Sequence, residues 1–316
     1  DSITNNLSAI EISNKLSTIR STINITTGTL QIGDGSTSGS LTGDVVNDGV
    51  LAFNRSDALT YSGNVSGSGT VSKVGAGTIT LSGDNTYTGQ TSIAGGTLII
   101  QSDAPKSSSS LYYGSGSLTI RSASASFSSG LDTSGWAIGS ESQKLGYLYL
   151  GKSGNTAAIN IGQKHYLSGN LTVDTQGQVT QSAAISAGAL VVRNASLAIL
   201  DNVGNQVSTL AASGVGGLTY LNTGNLAVGV AGGAVGISAT GIVDISTRNG
   251  SLAIKSNVNA SSGALSLRAA GSISASGAID VGTFTLNAGN WRQVSSVLPQ
   301  FKAKDFRLNG GTFVRA

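Results

Sequence analysis

Four aspartates, Asp34, Asp44, Asp48 and Asp57, are the nearest approach to a cluster of hard ligands or paired acids in this chain. Gathered on one face, they would bind calcium through carboxylate oxygens or act as the acid and base of a glycoside hydrolase. Turn glycines separate them, and the simpler reading is four solvated turn residues. The calcium-binding repeat G-G-x-G-x-D is missing. His165, within GQKHYLSG, is the single histidine, which excludes a multi-histidine zinc site, and no local motif supplies the nucleophile and acid of a triad. It is expected at the surface beside Lys164. The many G-x-G strings read as turns, and no GxxxxGK[ST] phosphate loop occurs. We expect no enzyme, no metal and no cofactor.

Aromatic residues offer a second chemistry. Tyr112, Tyr113, Phe127, Trp136, Tyr147, Tyr149 and Tyr166 gather between Leu111 and Tyr166. Tyr and Trp join a broad apolar face to a polar tip and stack on sugar rings. Tyr112, Tyr113, Trp136, Tyr147 and Tyr149 are therefore candidates for glycan contact, with packing of an irregular coil as the competing reading. Near the end, Trp291, Phe301, Phe306 and Phe313 are expected to pack a side loop. Beside them Arg292, Lys302, Lys304, Arg307 and Arg315 read as a solvated face, with an anionic polysaccharide as the alternative partner. Asn-x-Ser/Thr sequons at Asn6, Asn24, Asn54, Asn64, Asn170, Asn194, Asn249 and Asn259 fit chance in so Asn-, Ser- and Thr-rich a chain, with glycosylation as the alternative.

Whatever positions these groups is a recurring phrase of glycine followed by alternating aliphatic and polar residues. It reads GTLQI at Gly28, GVLAF at Gly49, GTITL at Gly77, GTLII at Gly96, GSLTI at Gly116, GNLTV at Gly169, GALVV at Gly188, GSLAI at Gly250 and GTFTL at Gly282. Each copy is a turn residue and a period-two strand, and near neighbours recur about every 19 to 23 residues, the spacing of a coiled β-repeat. The fold class is all-β, a right-handed single-stranded parallel β-helix. Parallel coils stack inward residues on both neighbours, so Leu30, Ile32, Leu51, Phe53, Ile79, Leu81, Leu98 and Ile100 should form buried columns.

A solenoid packs each repeat only on its neighbours, so 316 residues are expected as one β-helix domain, residues 1–316. Within it, 1–27 is an atypical leading segment, 111–166 irregular coils and 290–316 an atypical terminal coil with a loop around Pro299. In the leading segment Ile12, Leu16, Ile19 and Ile23 sit at helical spacing after a capping-box pair, Ser8 and Glu11, so a short helix competes with irregular strand. QSDAPKSSSS around Pro105 reads as an excursion loop.

Charged residues make up only 10% and the net charge is +3, so the balance does not call for a nucleic-acid partner. Cysteine is absent, which leaves no disulfide framework and suits a chain that crosses a membrane unfolded. No apolar run approaches the roughly 20 residues of a transmembrane helix. Methionine is absent too, and the chain stops just after a strand; both predict a fragment of a longer precursor.

Residues Gly67 to Ile100 carry a further pattern: GSG, Lys73, GAG at Gly75, LSG at Leu81, N-x-Y-x-G at Asn85, Tyr87 and Gly89, Thr91, and GGTL at Gly95. This resembles the strand repeat of autotransporter passenger domains, and Gly43 to Gly69 resembles the preceding coils of such passengers. The second half, with GNLTVDTQGQVTQSAAISAGAL and DFRLNGGTFVRA, is similar to exoproteins of the filamentous haemagglutinin type, exported by two-partner secretion. The amino-terminal export signature of that family is not apparent. The resemblance implies a secreted protein of the Gram-negative cell surface, exported through an outer-membrane transporter. It further implies an adhesin shaft for attachment or biofilm contact, with a host or matrix glycan or a protein receptor as partner. The alternative is a self-assembling filament or matrix subunit; a polysaccharide-cleaving β-helix is a remote third reading.

Overall fold

The computed structural model describes residues 3–5, 9–12, 15–16, 22–107, 109–293 and 300–314. Among them the fold is all-β, with no helix, and its strands pair parallel with strands one coil away. It is a parallel β-solenoid. The leading segment is strand rather than helix where it is described: Ala9–Ile12 lies parallel to Thr29–Ile32, and Lys15–Leu16 to Ser40–Leu41. Tertiary pairing outweighs the helical spacing there, because an adjacent coil offers a complete row of backbone partners. Ser8 and Ile19, and the loop around Pro299, lie outside the described residues.

The chain forms two compact units, residues 1–128 with 135–149 and 165–168, and residues 129–134 with 150–164 and 169–316. In the first unit three ladders carry the coils. One runs Ile3, Ile23, Val45, Val65. A second pairs Thr29–Ile32, Val50–Phe53, Thr70–Lys73 and Thr91–Ile93, and a third pairs Ala58–Tyr61, Thr78–Leu81, Thr97–Gln101 and Tyr112–Arg121. Alternation along each strand sends every second side chain inward, and register stacks like on like. Leu30, Ile32, Leu51, Phe53, Ile79, Leu81, Leu98 and Ile100 are all buried, as their columns require. Burial of such a side chain contributes about 1.5–3 kcal/mol, and here it repeats at every coil.

The glycine of the repeat phrase has a mechanical reason. A Cβ on Gly77 would stand 1.9 Å from the carbonyl oxygen of Asp57 in the coil below, so only glycine lets the corner close at the coil spacing.

In the second unit Leu218–Asn222, Val243–Thr247, Val258–Ala275, Ile279–Gln293 and Phe301–Leu308 follow in parallel. Register places Leu218, Val243, Leu265 and Phe284 in one buried column and Tyr220, Ile245, Leu267 and Leu286 in the next. The coils are interrupted by a hairpin, Val230–Ala231 against Ala234–Val235, which is antiparallel. Its turn uses Gly232 and Gly233 at φ 53° and 84°, the left-handed conformations a two-residue hairpin loop requires. The hairpin lies over the outer side of neighbouring strands, where Ala231 and Ala234 pack on Ala189, Val191 and Ala211.

Candidate functional site

Alternation divides the five aromatic candidates. On Tyr112–Arg121, Tyr112 points inward and is fully buried, while Tyr113 faces out and is half-buried. The segment after Trp136 pairs with Tyr112 through a parallel bridge at Ile138, with the Tyr112 amide donating to Ala137 O at 2.9 Å. That pairing sets the Trp136 ring on Tyr112 at 5.7 Å between centroids and 28° between planes, and leaves Trp136 only 2% exposed. Tyr112 and Trp136 therefore fill the interior of an irregular coil and offer no face to a sugar, which corrects their place among the surface candidates. On Leu145–Gly151, Tyr147 and Tyr149 flank inward Leu148; Tyr147 is 50% exposed and Tyr149 half-buried. The outward aromatic surface is thus Tyr113, Tyr147 and Tyr149.

His165 is corrected as well. It is 1% exposed, and burial pushes its imidazole down to about 4, so the ring is neutral at physiological pH. A group in that state neither relays protons at a surface nor carries charge.

The four aspartates are each engaged separately. Asp34 accepts from the Ser36 amide at 3.0 Å. Asp44 reaches up one coil to the Asn64 amide at 2.7 Å, and Asp48 to the Ser68 amide and hydroxyl, both at 2.9 Å. Asp57 takes a two-pronged contact from Arg55 at 2.8 Å. The Arg55 guanidinium holds the Asp57 carboxyl below its usual range, and hydrogen bonds from Ser36 and Ser68 do the same for Asp34 and Asp48. Among the described residues no three His, Cys, Asp or Glu converge in a manner that could hold a metal ion.

Of the terminal aromatics Phe284 and Trp291 are buried, Phe301 and Phe313 are part-exposed and Phe306 is 45% exposed, while the loop around Pro299 expected to pack with them lies outside the described residues. Phe284 pairs in register with Phe306 and Trp291 with Phe313, giving ring stacks at 5.4 and 5.3 Å. Lys302 and Lys304 are exposed and alternate with part-buried Phe301 and Ala303, and Lys302 meets Asp280 at 3.7 Å.

Sequence reasoning missed the buried polar residues that fasten corners. Lys73 is fully buried, in register between Phe53 and Ile93, and its Nζ donates to Gly75 O and to Gly95 O, the latter at 3.2 Å. Burial lowers its pKa. Arg55 donates to the Gly39 and Thr37 carbonyls as well as to Asp57. The signal for Lys73 was present in part: a cation ending a strand two residues before Gly75 can reach that turn's carbonyl, and the stacked turn at Gly95 supplies the second. Asn side chains serve similarly, Asn64 accepting from the Asp84 amide at 2.7 Å and Asn85 from the Val65 amide at 3.1 Å. Two sequon residues, Asn64 and Asn194, are thereby used in coil contacts, Asn194 donating to Asp174 at 2.8 Å.

A family model described as the passenger-associated-transport-repeat matches residues 71–100. Over 43 residues, 14% of this chain, the sequence is 56% identical to a protein of Brucella suis biovar 1 (strain 1330) named "Adhesin BmaC autotransporter". The match spans 1% of that protein's length. No solved structure matches significantly. The matched repeat lies on the most regular coils, and its polar positions are those that fasten them: Lys73 on two corner carbonyls, Asn85 on the coil below, and Tyr87 with its hydroxyl 2.8 Å from that of Thr91.

Proposed function

We propose, from the premise that this chain is a secreted, outer-surface autotransporter passenger carrying passenger-associated repeats, that it is the shaft of an adhesin. The observation that supports this most is the coincidence of the matched repeat with coil-fastening residues. In the shaft reading the repeats are scaffold, no catalysis is performed, and an outer-membrane transporter carries the chain out unfolded before the coils stack. Absence of cysteine removes one obstacle to that passage. For the second half, the likeness to filamentous haemagglutinin exoproteins stays part of the proposal, supported by the continued stacking of coils through Phe301–Leu308.

Attachment or biofilm contact is assigned to the outward aromatic surface of the irregular coils. Tyr147, Tyr149 and Tyr113 supply the apolar faces that stack on sugar rings of a host or matrix glycan. The test is surface display of the passenger with Tyr147→Ala and Tyr149→Ala, measured by glycan array and by attachment to matrix-coated wells. Loss of a specific glycan signal with unchanged display supports the reading. Retained binding in the double variant, or the absence of any glycan signal from the wild-type chain, overturns it.

A further inference from the structure

The outer side of the second unit carries a groove of about 610 Å³ that the shaft reading does not use. Its floor follows from register. Leu221, Ser246, Arg268 and Ala288 lie in one outward row, each on the strand one coil beyond the last. Arg248 follows Ser246 by two residues and is fastened through its amide to Asn222 O at 2.8 Å. Val203, at the adjoining corner, is 57% exposed, and Ala270 completes the lining.

Two features of this groove point to a ligand. Its walls are mainly aliphatic, an uncommon use of outward positions in a chain whose other outward residues are mostly Ser, Thr and Asn. Both guanidinium groups are exposed at its edge, and among the described residues neither forms an ion pair. Asp244, two residues before Ser246, is the acidic group that interacts with Arg268, and it forms no ion pair with either arginine. A guanidinium presents a planar fork of donors that fits a carboxylate. Aliphatic Val203, Leu221 and Ala288 beside two such forks suit carboxylates accompanied by apolar side chains. A sugar ring would ask for more hydroxyl and amide partners than Ser246 and Thr247 provide, particularly as the Thr247 hydroxyl already donates to Gly250 O at 2.6 Å.

We infer that the groove lined by Arg248 and Arg268 docks an acidic, aliphatic-bearing peptide segment of a partner protein. The inference goes beyond the shaft reading and stands without it, since it concerns the second unit alone.

The test uses the whole chain and fluorescein-labelled peptides of alternating glutamate and leucine, read by fluorescence anisotropy. Saturable binding is expected, with a loss of about 10-fold for Arg248→Gln and again for Arg268→Gln, as befits charge-assisted hydrogen bonds. Val203→Asp should weaken binding comparably by placing a like charge on the aliphatic lining. All three positions are exposed, and an unchanged circular dichroism spectrum checks folding. Equal binding of the glutamine–leucine peptide, or indifference to both arginine changes, overturns the site. Equal binding of polyglutamate removes the role of the aliphatic lining, and stronger binding of an oligogalacturonate overturns the peptide as occupant.

Discussion

Replacing Lys73 tests most directly how the matched repeat holds its coils. The side chain is fully buried in a column between Phe53 and Ile93, and its Nζ serves two corner carbonyls, Gly75 O and Gly95 O. Lys73→Met keeps the stem and removes the donors. Each buried carbonyl left without its donor costs about 1–3 kcal/mol, while removing a desolvated ammonium returns part of that, so a net loss of about 2 kcal/mol is expected at pH 7. Lys73→Ala adds a cavity and should cost about 4 kcal/mol.

The pH dependence carries the sharper test. Burial lowers the folded pKa of Lys73 from 10.5, so between the folded and unfolded values the unfolded chain binds more protons and stability rises with pH. The neutral amine still has two N–H donors for the two carbonyls. The stability difference between wild type and Lys73→Met should therefore widen as pH rises towards 10.5. Urea unfolding in a Trp291→Phe background reads this through Trp136, which lies in the same unit as Lys73. Equal stability of wild type and Lys73→Met, or a difference that narrows with rising pH, would refute the assignment of Lys73 as the corner fastener.

Three further outcomes follow from the same structure. Gly77→Ala drives a Cβ to 1.9 Å from Asp57 O and should destabilise the first unit by about 3 kcal/mol, with faster amide exchange in Thr78–Leu81 than in Tyr112–Arg121. His165 has its pKa lowered to about 4, so the unfolded chain binds the extra proton first and stability falls as pH drops from about 6.5 to 4, by about 3 kcal/mol in all. His165→Asn should flatten that slope, and NMR titration of the imidazole should show no transition above pH 5. Replacing Val230–Val235 by a short glycine linker uncovers Val191 and Ala211, both fully buried beneath the hairpin, and should raise the binding of a hydrophobic dye and the tendency to aggregate.

Much of the fold was legible because stacking imposes a period on the residues. Glycine had to recur wherever a corner carbonyl lies under it, as Asp57 O lies under Gly77, and aliphatic residues had to alternate wherever a strand has one inner side. The hairpin was not read from the repeats, although the palindrome V-A-G-G-A-V around two glycines is its local signal. The helical spacing of Ile12 and Leu16 left helix and irregular strand open, because apolar residues spaced by helix geometry also occur in short strands separated by turns. Pairing with Thr29–Ile32 and Ser40–Leu41 decided between them.

What the residues determined by themselves was the coil: its period, its inward columns and the repeat at 71–100, since these depend on local alternation and on contacts that recur at one spacing. Tertiary structure alone decided which side chains reach the outside of the irregular coils. Tyr112 and Tyr113 are adjacent in sequence, yet one is buried against Trp136 and the other faces out, because strand phase is set by the coil below. The same phase buried Lys73 and His165, and it drew Arg248, Arg268 and Val203 to the edge of one groove. Residues far apart in the chain become neighbours only when register stacks them, and register belongs to the assembled coils.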